Sequence, residues 1–106
     1  MALEIPVHIT QRALLEIRHI MNSKNIPEQY GLRIGVRGGG CAGVQHILGF
    51  DTANEGDVTY QAADIPVHIA KKDTMYLIGL ELDFYEGDDA KGFLFAHPEA
   101  KDQAKN

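Results

Sequence analysis

Leu32-Arg33-Ile34-Gly35-Val36-Arg37-Gly38-Gly39-Gly40-Cys41-Ala42-Gly43 is the stretch on which the fold turns. Its first half alternates apolar Leu32, Ile34 and Val36 with Arg33, Gly35 and Arg37, the period-two pattern of a strand with one face in a core. Its second half gathers four of the chain's eleven glycines, Gly38, Gly39, Gly40 and Gly43, around the single cysteine. Positions without Cβ give up more conformational entropy on folding, so such a cluster marks a loop that needs positive φ or close backbone approach. Beyond the loop, Val44, His46, Leu48 and Phe50 alternate with Gln45, Ile47, Gly49 and Asp51. A second strand is expected there, which places Cys41 at the turn between two strands.

Upstream, Ile5, Val7 and Ile9 alternate with Pro6 and His8, a short edge strand over Glu4 to Ile9 in which the proline need not donate. Thr10 has the chemistry of a helix N-cap. From Gln11 to Ser23, Leu14, Ile17 and Met21 recur at helical spacing with Ala13 and Ile20 beside them, and only Leu15 breaks the pattern. Downstream, strands are expected at Val58 to Gln61, Ile65 to Ile69, Leu80 to Tyr85 and Gly92 to Ala96. Lys71 to Ile78 should form a short helix with Met75, Leu77 and Ile78 among its inward residues, closed by Gly79. Most connections are too short for parallel crossovers. The fold class is therefore α+β: a small, mostly antiparallel β-sandwich with one main helix and one short helix.

The chain has 106 residues, enough for one core but not two. Residues 1–98 should form a single domain, with a flexible tail over 99–106. Fifteen acidic against ten basic residues give a net charge of −5, which leaves no dense cationic surface for a phosphate backbone, so no nucleic-acid partner is expected. No apolar run approaches the roughly 20 residues of a membrane helix, and the start lacks the basic-then-apolar order of a signal peptide. A cytoplasmic protein with no membrane partner is expected. A lone cysteine forms no intramolecular disulfide and fits a reducing compartment.

Cys41 is the main candidate for chemistry. A loop of free amides next to Arg37 favours the thiolate over the thiol, whose ordinary value is near ~8.5. That suits a metal ligand or a nucleophile, but no histidine is placed beside Cys41 as a base, so an enzyme is not expected. His46 shares the apolar face of its strand and reads as a buried or half-buried packing residue first, a ligand second. His8, His19 and His68 read as solvated. His97, at the end of the last strand, is a weak metal-ligand candidate. So is Glu86, which with Asp88 and Asp89 forms an acidic turn. The glycine loop lacks the lysine and hydroxyl of a phosphate-binding loop.

The run from Leu32 to Gly43 resembles the A-type carriers of iron-sulfur cluster assembly, the HesB-like family: an alternating strand, three glycines, a cysteine, a small residue and glycine. Ile9-Thr10 before the helix, Glu55-Gly56-Asp57, the run Leu80 to Gly87 and Gly92-Phe93-Leu94-Phe95 extend the resemblance along nearly the whole chain. Cluster-carrying members end in Asn-Pro, a few polar residues and Cys-Gly-Cys. Here the end reads His97-Pro98-Glu99-Ala100-Lys101-Asp102-Gln103-Ala104-Lys105-Asn106, with Ala104 and Asn106 at the two cysteine positions. The resemblance implies transient iron or [2Fe-2S] binding through Cys41 in a homodimer, supplemented by His97, His46 or Glu86, or an accessory role in the pathway. Its implied partners are assembly proteins or recipient apoproteins. Two other readings stand beside it: a metal-free protein-interaction module of the same fold, and a thiol redox sensor.

Overall fold

The computed structural model describes residues 4–38 and 43–97. Two sheets enclose the core. One is three-stranded in the order β1 (His8–Ile9), β6 (Glu81–Glu86), β7 (Lys91–Ala96); the other is four-stranded in the order β3 (Val44–Asp51), β2 (Gly31–Gly38), β5 (Ile65–Ala70), β4 (Asp57–Ala62). Helix α1 (Gln11–Ser23) packs on β6, and a 3-10 turn at Lys71–Asp73 leads into the single-turn helix α2 (Thr74–Leu77) beside β2. Leu32 and Ile34 of β2, Val67 and Ile69 of β5, Leu82 of β6 and Ala13 and Ile17 of α1 are fully or almost fully buried. They are the inward members of the alternations and of the helical stripe, so the hydrophobic pattern sets the register. Leu15 points to solvent, as its place off the stripe requires.

Most pairing is antiparallel, as expected, but β1–β6 and β2–β5 are parallel, each over two residue pairs. Parallel neighbours arise here because further strands, not short turns, lie between them in sequence: β3 and β4 between β2 and β5, and α1 with four strands between β1 and β6. The first strand is shorter than Glu4 to Ile9. His8 N–H and Thr10 N–H donate to the Leu80 and Leu82 carbonyls at 2.9 and 3.0 Å, while Pro6, with no N–H, takes part only by accepting from Gly79.

Helix α1 is locked to the three-stranded sheet at its first turn. The Thr10 hydroxyl accepts from Ala13 N–H at 3.2 Å and donates to Asp83 Oδ1 at 2.7 Å, and Arg12 donates to Asp83 Oδ2 at 2.7 Å. The Thr10 hydroxyl and then the Arg12 guanidinium hold the Asp83 carboxyl down to about 2, from an ordinary 3.8. A depressed carboxylate contributes stability that is complete above the unfolded value and is lost as pH falls from about 4 to about 2. Asp83→Asn should therefore cost about 1–2 kcal/mol near neutrality and flatten the acid limb between those values in urea titrations, because charge-assisted hydrogen bonds are lost.

Two expectations for burial are corrected. Of the inward candidates on the short helix, only Leu77 is buried; Met75 and Ile78 are exposed, because one helical turn has a single inward position against β2. His68 is not solvated but 4% exposed. It lies beside Arg33 and Thr59 in the strand register, on the sheet face opposite Val67 and Ile69. Gly31 makes room for it, since a Cβ there would sit 2.8 Å from His68 Nε2 and 2.6 Å from the Pro66 carbonyl oxygen. His68 Nδ1 pairs with the Thr59 hydroxyl at 2.8 Å, and Nε2 has no protein partner among the described residues. Burial, and then the Arg33 charge, push the imidazole below its usual 6.5. The unfolded chain binds that proton first, so stability should start to fall as pH drops below about 6.5. His68→Leu should remove this slope between pH 6.5 and 5 while leaving the steeper carboxylate limb below it.

Candidate functional site

The β2–β3 hairpin carries the glycine loop. Its ladder runs without interruption from Gly31↔Asp51 to Gly38↔Val44, so the eight residues of each strand fix the two points between which the loop is strung at one end of the four-stranded sheet. Both loop ends are left-handed, Gly38 at φ +91° and Gly43 at φ +78°, a conformation that strains any residue with a Cβ. At Gly38 a Cβ would also come within 3.2 Å of the Gly43 carbonyl oxygen. Gly39, Gly40, Cys41 and Ala42 lie outside the described residues. In sequence Cys41 is bracketed by these two fixed glycines.

Behind the loop ends opens a cleft of about 750 Å³ lined by Val36, Arg37, Val44, Lys72, Asp73 and Tyr76 as well as Gly38 and Gly43. Arg37 and Lys72 make its open side cationic, which favours anionic ligands and a thiolate over a thiol. Asp73, 8% exposed, is the carboxylate on its floor. Its Oδ2 accepts weakly from Val36 N–H at 3.4 Å and its Oδ1 faces Lys72 Nζ at the same distance. The sequence reading missed Asp73 and Lys72, although their place at the entry of the short helix, packed against β2, brings them here.

His46 is the β3 partner of Val36, one end of the same hairpin. It is exposed, not buried or half-buried as its place on the apolar face suggested. One ring face is covered all the same: it stacks on Phe95 of β7, with centroids 4.9 Å apart and planes at 22°. That contact joins the two sheets at their loop end. His97 follows Phe95 by two residues and is exposed, so it belongs to the same end of the molecule. Glu86 does not. It pairs with Lys91 at the start of β7, five residues from Ala96, or about 17 Å along a strand. The fold thus gathers the glycine loop, His46 and His97 at one end and leaves Glu86 at the other. Among the described residues no three His, Cys, Asp or Glu side chains stand at metal-binding distances.

The fold is one already known in solved structures. It matches IscA with a [2Fe-2S] cluster at a TM-score of 0.73 and 24% identity, covering 87% of this chain and 85% of the other. Residues 5–105 match the family model for iron-sulphur cluster biosynthesis. The chain belongs to that family. Among relatives, the iron-sulfur cluster insertion protein ErpA of Erwinia tasmaniensis is 31% identical over 92% of this chain and 85% of its own length. The iron-sulfur cluster assembly 1 homolog, mitochondrial, of Dictyostelium discoideum is 37% identical over 87% of this chain and 68% of its own. No helix of the described residues is long and apolar enough to cross a membrane.

Proposed function

We propose that this protein serves iron-sulfur cluster assembly as a carrier rather than an enzyme, holding iron or a labile [2Fe-2S] unit as cargo on Cys41. The observation that carries the reading is the hairpin itself. An uninterrupted ladder ends in two left-handed glycines that bracket the only cysteine, beside Arg37 and Lys72. A thiolate is the ligand type that selects iron-sulfur cargo. One thiolate per chain falls short of the four that hold most clusters, so two copies would pair their Cys41 loops, with His46 or His97 or small external thiols completing the shell. The relatives named for cluster insertion and assembly, and the neighbour that holds a [2Fe-2S] cluster, support this reading.

The expected cargo site is weak. Anaerobic reconstitution with iron and sulfide should give a visible chromophore at well under one cluster per chain, lost within minutes to a chelator. Light scattering should show the protein as a dimer in the same sample. A colourless, metal-free monomer after reconstitution would favour the interaction-module reading.

A further inference from the structure

The turn that follows β5 exposes an unusual amount of apolar surface for so small a chain. Within four residues Met75 is 73%, Tyr76 53% and Ile78 62% exposed, and Val44, which lines the same cleft as Tyr76, is 42% exposed. Scattered exposed apolar side chains are ordinary, whereas a group of them beside a cleft marks a binding surface. Among the residues that line the cleft, the exposed charges are cationic. Arg37, Lys71 and Lys72 are exposed, and the one carboxylate of the cleft, Asp73, is buried and directed at Val36 N–H and Lys72. The chain as a whole carries −5, so this cationic rim runs against its overall charge.

We infer that this face docks an acidic, apolar-anchored segment of a partner protein. One apolar side chain would enter between Tyr76 and Val44, with others over Met75 and Ile78, while carboxylates face Arg37, Lys71 and Lys72. A symmetric contact through Met75, Tyr76 and Ile78 is disfavoured, because it would set Lys71 and Lys72 of one copy against those of the other. The inference deepens the proposed function and rests on it in one respect: a segment held here lies against Gly38 and Gly43, at the rim of the loop that carries Cys41, so the docked protein is the one with which cargo is exchanged. Docking itself needs no metal, and the two readings can therefore fail separately.

The test is a nuclear magnetic resonance titration of the isotope-labelled full chain with a short synthetic peptide in which Leu and Phe alternate with Glu and Asp. Matched peptides carry Gln and Asn, or Lys, in place of the acids. Shifts should concentrate in residues 36–38, 43–45 and 71–78. Affinity should fall about tenfold or more for the neutral peptide, and again in high salt. Met75→Ser with Ile78→Ser alters only exposed side chains, so it should keep the spectrum of a folded protein and lose binding. Lys71→Glu with Lys72→Glu should turn the preference toward the lysine peptide. Equal binding of all three peptides, shifts elsewhere, or no shifts at millimolar peptide would overturn the inference. So would concentration-dependent self-association that the serine variant abolishes, since the face would then belong to a second copy. The serine variant should take up iron as the natural chain does; absence of uptake in both proteins counts against cargo carriage and leaves the peptide result standing.

Discussion

Arg33→Ala is expected to destabilise the protein by about 2–4 kcal/mol, somewhat less than stripping one partner from a fully buried ion pair, because the Arg33 side chain keeps some exposure. Arg33 is 16% exposed and Asp57 only 3% at the side chain, and the two guanidinium nitrogens meet the two carboxylate oxygens at 2.7 Å each. Arg33 also donates to the Thr52 carbonyl at 3.1 Å and to Asp51 Oδ2 at 3.3 Å, so one side chain on β2 ties together the end of β3 and the start of β4. Against a total stability of about 5–15 kcal/mol usual for a domain, such a loss should lower the thermal midpoint by about 10 °C or more. Arg33→Lys should recover little, because an ammonium cannot make the two parallel bonds. Arg33→Met with Asp57→Leu should recover most of it, since removing both charges leaves none buried alone. It should still fall short by about 1 kcal/mol, because Asn54 N–H, which donates to Asp57 Oδ2 at 2.6 Å, loses its acceptor. Urea denaturation of the four proteins decides it. A single-alanine variant within 1 kcal/mol of the natural chain would mean that the pair does not hold the hairpins together.

The second large effect concerns the number of thiolates. Ala104→Cys, Lys105→Gly and Asn106→Cys together would raise the count from one to three per chain, with a glycine between the two new thiols. Three thiolates per chain, or six per dimer, meet the usual demand of a cluster without histidine or carboxylate. Joining the end of the chain to the loop costs an entropy that grows only with the logarithm of the length closed. The variant should bind a stoichiometric cluster that outlasts that of the natural chain at least tenfold under chelator, and should lose it again in Cys41→Ala. If all three thiols react freely with a titrating reagent and yet no more iron and sulfide are retained, the end of the chain and the loop do not meet.

The elements whose side chains alternate between core and solvent were legible in the sequence. Leu32, Ile34 and Val36 on one side of the loop and the Thr10 cap with Ala13 and Ile17 behind it stand where their patterns place them, because burial and a single capping hydroxyl decide these locally. What was not legible depends on neighbours remote in sequence. His68 looks like a solvent-facing residue until Gly31, on the adjacent parallel strand, is seen to leave space for its ring. Met75 and Ile78 look like core residues until α2 is seen to be one turn long. His46 and His97 show no ligand spacing, and it is the Phe95 ring, reached across two sheets, that puts them at one end of the molecule. The candidate site was legible as a loop and a cysteine, and not as a cleft, because Lys72, Asp73 and Tyr76 arrive from a segment more than thirty positions beyond Cys41.

The central claim is that Cys41 holds the cargo, and the most direct measurement is iron and acid-labile sulfide retained per chain after anaerobic reconstitution and gel filtration, for the natural protein beside Cys41→Ala. The alanine variant should fold with unchanged thermal stability and retain neither iron nor sulfide above the level of a protein without cysteine, while the natural chain retains both in equal, substoichiometric amounts. The same iron, sulfide and visible spectrum in Cys41→Ala would contradict the account and remove Cys41 from the site.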